Sequence, residues 1–479
     1  MKPTRFGPMA RLMLLLVAAP SVLASGAQPA GLGGQQPQAA RPPIPSVVED
    51  IVTEPVFQGR AYVYEAGRAN PYTIVLVHGL GEGASRDWAH VVPVLAQQYH
   101  VLTFDLPGFG RSDKQNALYS PANYAAFVKW IIEERVNGPF TLVGHSMGGV
   151  VALRFAATYP RNLRHLILID APGILHRSVA FETAGRMAAG SRLDGLWSGA
   201  LDAMDSVWGT VLSRMESRFF TPDADVILAS RNLREQVLKG QPDLIAGLAL
   251  AQEDFSRSLQ FVTTPVTLLW GTADLLAPIR TAKALVAQLP DARLIELEGI
   301  GHSPMTERPD RFDAVLLQNI MARPAGRAAP PKAAPSERVG RFVDESGRSV
   351  SGAYRLVEIE NCDDLRLDGV TARSIRIKNS TVRIENSRIE GGLTALAAED
   401  STVRMTGGLL DGEVAIVGDR SELDLAGVTI RGKKAIITTA DWAKLVLSIS
   451  KAHLGSQAWC LHGIEELSPE TLPWPKPAR

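Results

Sequence analysis

The sequence predicts an α/β domain, a mostly parallel sheet flanked by helices, followed by a small all-β domain of stacked repeats. Three observations carry this. Short apolar runs recur in the first two thirds of the chain, each closing in a Gly- or Pro-containing loop. One of those loops, Gly144-His145-Ser146-Met147-Gly148-Gly149, has the Gly-x-Ser-x-Gly spacing of a sharp strand-to-helix turn. Beyond residue 338 the chain repeats itself at offsets of 21 and 20 residues, a period typical of stacked coils.

Each element can be justified in order. Residues 72–77 read as a buried strand ending in His78-Gly79-Leu80-Gly81, where backbone can approach a ligand closely. Residues 100–104 form the next strand, closed by Asp105-Leu106-Pro107-Gly108. Residues 139–143 lead into the Ser146 turn, and the apolar run after it predicts a helix. A glycine-rich turn whose serine merely caps that helix is the alternative for the pentapeptide taken alone. Residues 166–169 end in Asp170, residues 266–270 in Gly271-Thr272-Ala273-Asp274, and residues 294–297 in Gly299-Ile300-Gly301-His302. Every chemistry-bearing residue thus falls just past a strand, where open parallel sheets bind ligands.

With Ser146, Asp274 and His302 in that chain order and four motifs in register, residues from about 50 to 322 resemble the α/β-hydrolase superfamily, esterase- or lipase-like with a cap. The resemblance implies Ser146 as nucleophile, His302 as general base and acid, and Asp274 as the residue that fixes the imidazole. It also implies an oxyanion hole from the backbone amides of Leu80 and Met147. Asp170 is the rival acid; Asp274 is preferred because its Gly-x-x-Asp-x-x-x-Pro surroundings are those the superfamily favours. His145 is expected to pack against a neighbour, His78 to shape its loop, and Asp105 to stabilise its own turn.

Residues about 174–262 exceed what one crossover needs. Leu193, Trp197, Leu201, Met204, Trp208, Val211, Met215 and Phe219 fall three or four apart. This predicts a helical cap with an apolar face, and in this superfamily an apolar cap implies a small-molecule ester with an apolar portion. The alternative is that the stripe only packs onto the catalytic domain.

The 479 residues carry zero formal net charge and 21% charged side chains, with no basic run to suggest nucleic acid. No Cys/His cluster has metal-ligand spacing, and no dinucleotide loop is complete, so neither metal nor cofactor is expected. Lys2, Arg5 and Arg11, an apolar run over residues 12–19 and Val22-Leu23-Ala24 read as a signal peptide over residues 1–25. Export to a periplasm or the outside follows, with residues 26–46 as a flexible leader and 47–321 as the hydrolase domain.

Residues 322–338, rich in Pro and Ala, read as a linker. The repeats then begin at Ser380, Ser401 and Ser421, with Val382/Ile384, Val403/Met405 and Leu423/Leu425 alternating as strand residues. Residues 339–465 resemble a right-handed parallel β-helix, and 466–479 a tail; a β-sandwich is the alternative. Glu385, Asp411 and Asp424 are expected on a solvated face. A glycan or cell-envelope contact through this domain is an analogy of fold alone. Cys362 and Cys460 flank the repeats, and coils about 4.8 Å apart would separate them unless the tail folds back along the stack.

The chain is therefore read as an exported serine hydrolase of carboxylic esters. Carbon–carbon bond hydrolysis, thioester hydrolysis or cofactor-free perhydrolysis would use the same three residues. A protein that chiefly binds a surface, with a subsidiary hydrolase module, is the reading from another class.

Overall fold

The computed structural model describes residues 43–176, 224–321 and 336–475. The expected signal peptide, almost all of the expected leader, the apolar stripe from Leu193 to Phe219 and most of the expected linker lie outside them.

The first sheet is built from β1 (Val48–Thr53), β2 (Arg60–Ala66), β3 (Thr73–Val77), β4 (His100–Phe104), β5 (Phe140–His145), β6 (Leu163–Ile169), β7 (Val266–Gly271) and β8 (Ala292–Leu297). Its order is β1-β2-β4-β3-β5-β6-β7-β8, antiparallel at β1–β2 and β2–β4 and parallel elsewhere. Strands β3, β4 and β5 are buried throughout, because helices cover both faces and a parallel strand has no solvated side.

Alternation sorts their side chains. Val75, Val77, Leu142, Leu166 and Leu268 join one apolar cluster, while Ile74, Leu76, Val143, Ile167 and Leu269 join the other. The helices are α1 (Val92–Leu95), α2 (Pro121–Arg135), α3 (Met147–Thr158), α4 (Ala224–Ala229), α5 (Arg231–Leu238), α6 (Pro242–Ala251), α7 (Ile279–Gln288), α8 (Pro304–Glu307) and α9 (Pro309–Ile320). Of the expected cap, α4, α5 and α6 are described. Ser120 begins α2 by accepting the Asn123 amide, with Pro121 at the first helical position.

The repeat region is an all-β coil: β9 (Val339–Val343), β10 (Ser349–Val350), β11 (Leu356–Glu360), β12 (Leu365–Asp368), β13 (Thr371–Ala372), β14 (Ser374–Lys378), β15 (Thr381–Glu385), β16 (Arg388–Glu399), β17 (Thr402–Thr406), β18 (Leu409–Asp419), β19 (Ser421–Ala426), β20 (Thr429–Thr438), β21 (Ala443–Leu454) and β22 (Gln457–Leu467). One parallel ladder runs β10-β12-β15-β17-β19-β21 and a second runs β9-β11-β14-β16-β18-β20, the two meeting at β21. Val382, Val403 and Leu423 stack in register and are fully buried. This is the β-helix-like arrangement, and each coil buries its apolar residues only against the next.

A second ladder runs inside it. The amides of Cys362, Ser380 and Ser401 donate to the hydroxyls of Ser380, Ser401 and Ser421 on the following coil, at 2.9–3.1 Å. Each hydroxyl donates in turn to the carbonyl two residues before it. The recurring serine is therefore the device that satisfies buried corner amides. Cys362 occupies the equivalent corner one coil earlier, its thiol directed at the Glu360 carbonyl.

β22 turns back only onto the adjacent β21, at the last coil, and Cys362 and Cys460 are both free thiols. Trp474, in the expected tail, packs into the coil's core.

The coil docks against the α/β domain. Ala426, Val446 and Ile449 belong to the same apolar cluster as α3 and β7. Arg280, in the first turn of α7, reaches Asp424 Oδ1 at 2.9 Å and Thr406 Oγ1 at 2.8 Å. Lys283 pairs with Glu385 at 2.7 Å and Gln288 donates to the Gly427 carbonyl. Glu385 and Asp424 are thus not on a solvated face. They form charged partners of one helix, with Asp424 only 8% exposed. Gly427, at φ +64°, lies so close that a Cβ would stand 2.7 Å from the Ala284 carbonyl oxygen.

Candidate active site

Ser146 sits between β5 and α3 at φ 52°, ψ −124°, outside the regions an L-residue ordinarily occupies. The turn can be this tight because Gly144 and Gly148, two residues to either side, have no side chains. A Cβ on Gly148 would lie 2.3 Å from the Val77 carbonyl oxygen. The strain lifts the hydroxyl off the sheet toward the loop after β8.

Three strand ends meet there. Ser146 Oγ lies 2.8 Å from His302 Nε2, and His302 Nδ1 lies 2.8 Å from Asp274 Oδ2. The other oxygen of Asp274 accepts the amides of Leu276 and Ala277 at 2.8 and 3.0 Å, so the carboxylate cannot rotate away from the ring. Glu307 fixes the histidine loop by accepting the amides of Gly301 and Ser303.

Such a chain can draw a proton from the serine to the imidazole while the aspartate balances the imidazolium. Met147 is the first residue of α3, so its amide has no carbonyl a turn behind it. Leu80 lies in the loop after β3. Its shape is set by His78, whose Nε2 accepts the Leu106 amide and whose Nδ1–H donates to the Gly79 carbonyl at 2.6 Å. Burial holds that imidazole below its usual range, and the two bonds together fix the neutral tautomer. Asp105 does more than stabilise its own turn. Besides the Arg111 amide, it binds both the amide and the hydroxyl of Ser85.

His145 acts where its sequence position gave no hint. Its Nε2–H donates to the backbone carbonyl of His302 at 2.8 Å, tying the nucleophile's strand to the histidine's loop. Burial, aided by the nearby His302 ring, pushes the His145 imidazole down to about 3. Asp170 ends β6 beside this group, its Oδ1 accepting the Gly271 amide at 2.8 Å. Among the described residues, no cluster of three or more His, Cys, Asp or Glu side chains could hold a metal ion.

Residues 72–309 match the alpha/beta hydrolase fold family. An uncharacterized protein of Mycobacterium tuberculosis is 32% identical over 260 residues, covering 50% of this chain and 72% of the relative. The chain belongs to the α/β-hydrolase fold family. Another relative, the uncharacterized hydrolase YugF of Bacillus subtilis, is 29% identical over 252 residues, or 52% of this chain and 90% of that one. Among solved structures, an esterase from Exiguobacterium antarcticum aligns with a TM-score of 0.44 at 19% identity, covering 57% of this chain and all of that one. These matches span between 50% and 57% of the chain. The chain is accordingly an enzyme of the hydrolase class.

Proposed function

We propose that the protein is an exported serine hydrolase that cleaves carboxylic esters through an acyl-enzyme. The observation that carries this reading is the continuous hydrogen-bond chain from Ser146 Oγ through His302 to Asp274. Ser146 Oγ attacks the ester carbonyl carbon as its proton passes to His302 Nε2. The tetrahedral oxyanion takes hydrogen bonds from the Met147 and Leu80 amides. His302 then protonates the departing alcohol, leaving Ser146 acylated. Water, deprotonated by the same ring, releases the acid and restores the serine. An amide donor at an oxyanion is worth about two to three powers of ten in rate.

Esters are the reading taken because nothing in the three residues and two amides marks a special electrophile; thioesters, diketones and peracid formation would use the same groups. The signal-like residues 1–25 support export, and the apolar spacing from Leu193 to Phe219 supports an apolar acyl or alcohol part. The docked coil argues for one cooperative protein rather than a binding module with a subsidiary enzyme.

The test is release of product from a series of short-chain chromogenic esters, with labelling by a fluorophosphonate. Both should be lost in Ser146→Ala while the fold is retained. Turnover of a diketone or thioester with no ester cleaved would reassign the substrate. Absence of labelling in wild type would favour the surface-binding reading. The mature N-terminus of secreted protein should fall near residue 26.

A further inference from the structure

The acid at the end of β6 has no part in the steps above, although it is wholly buried and held at φ +46°. A non-glycine residue keeps such a conformation only where its surroundings impose it. Oδ1 of Asp170 accepts the Gly271 amide, while no donor reaches its fully buried Oδ2. Burial first, and then the charge of Asp274, push its carboxyl well above the ordinary carboxylate range; the Gly271 amide opposes them, and the Asp274 side chain and, least, Glu307 add to the rise.

Two carboxylate oxygens side by side are both acceptors, so a bond between them requires a proton on one. The two acids are unequally supplied with donors. Asp274 receives the amides of Leu276 and Ala277 and the ring of His302, whereas Asp170 receives Gly271 alone. Charge belongs where the donors are.

We propose that Asp170 is a positioning residue for the Ser146–His302–Asp274 set: as a neutral acid it donates its proton to the Asp274 carboxylate and steadies that single negative charge against His302. The titratable groups facing it are Asp274, from the loop before α7, and Glu307, from α8; Asp274 in turn meets His302. No bond to substrate is made or broken at Asp170. Its kinetic consequence rests on the serine-hydrolase reading, while its protonation does not.

The experiment compares full-length wild type with Asp170→Asn by difference infrared spectroscopy at neutral pH. The carbonyl stretch of a protonated carboxylic acid is expected in wild type and absent from the variant. Asparagine keeps an acceptor for Gly271 and a donor for Asp274. It should therefore leave kcat within about threefold, and the acid limb of the fluorophosphonate-labelling profile in place. Asp170→Ala removes both and should lower kcat roughly tenfold with little change in KM. If the alanine variant does not fold, the infrared band and the asparagine profile decide. A wild type lacking the band would overturn the proposal. So would an acid limb that falls by about one pH unit in Asp170→Asn, the mark of a lost second negative charge. A band in wild type that hydrolyses no ester would support the proposal while removing the ester reading.

Discussion

The two regions of this chain handle the ends of their strands in opposite ways. In the α/β domain the strand ends carry different residues, and two of the non-glycine residues held at positive φ, Ser146 and Asp170, are at the site itself. In the coil the corners are copies of one another. Asn361, Asn379 and Asp400 turn at φ 52°, 44° and 48°, a left-handed geometry that Asn and Asp tolerate. The residue after each is Cys362, Ser380 or Ser401, the start of the internal hydroxyl ladder. Left-handed corners in the coil serve stacking, whereas two of those in the α/β domain, Ser146 and Asp170, stand where the chemistry is placed. Substitutions should accordingly separate activity from stability according to the region they strike.

The sharpest separation is expected at the nucleophile. Ser146→Ala should reduce ester turnover by about four to six orders of magnitude, with a thermal transition close to that of wild type in calorimetry. An equal loss of both would blur the distinction between the regions.

At the dock the two regions should behave as one. Arg280 and Asp424 are largely buried, so Arg280→Asp should destabilise the protein by about 3 kcal/mol or more. Adding Asp424→Arg should recover much of that loss. Calorimetry of the full chain should show one transition in wild type; two well-separated transitions would mean that the regions unfold independently. Within the coil, Ser401→Ala orphans the Ser380 amide and should cost about 1–3 kcal/mol while leaving kcat and KM unchanged. A change in kcat would show that the coil reaches the chemistry.

The last comparison is in pH. The His145 imidazole is held neutral by burial, with a folded value of about 3 against an ordinary value of about 6.5. Between those values the unfolded chain binds more protons, so stability is fully present above about pH 6.5 and declines as pH falls toward 3. His145→Gln should flatten this decline in acid titrations of the melting temperature. An equally steep curve would place the sensitivity elsewhere.

Much of this was legible beforehand, for stated reasons. Buried parallel strands leave continuous apolar runs, and their ends are marked by the glycines that close approach requires, so Ser146, Asp274 and His302 could be located by position. The repeat period and its alternating Val, Ile and Leu residues located the coil. What escaped were pairings across long stretches of chain. His145 looked like packing because its partner is a backbone carbonyl 157 residues away, and a main-chain acceptor leaves no residue type to match. Asp424 and Glu385 looked solvated because a strand's outward face is normally wet. Nothing local marks the helix lying against it. The serine at each repeat start was visible, but its function appears only when successive coils are stacked.

The dock draws on β15, β17, β19 and β21 through Glu385, Thr406, Asp424 and Ser448, which accepts the amide of His176. The coils that precede them, β9 to β12, touch mainly their own neighbours. Length at that far end is consequently free to vary. A further turn of about twenty residues inserted there would extend the rod without disturbing the anchored end.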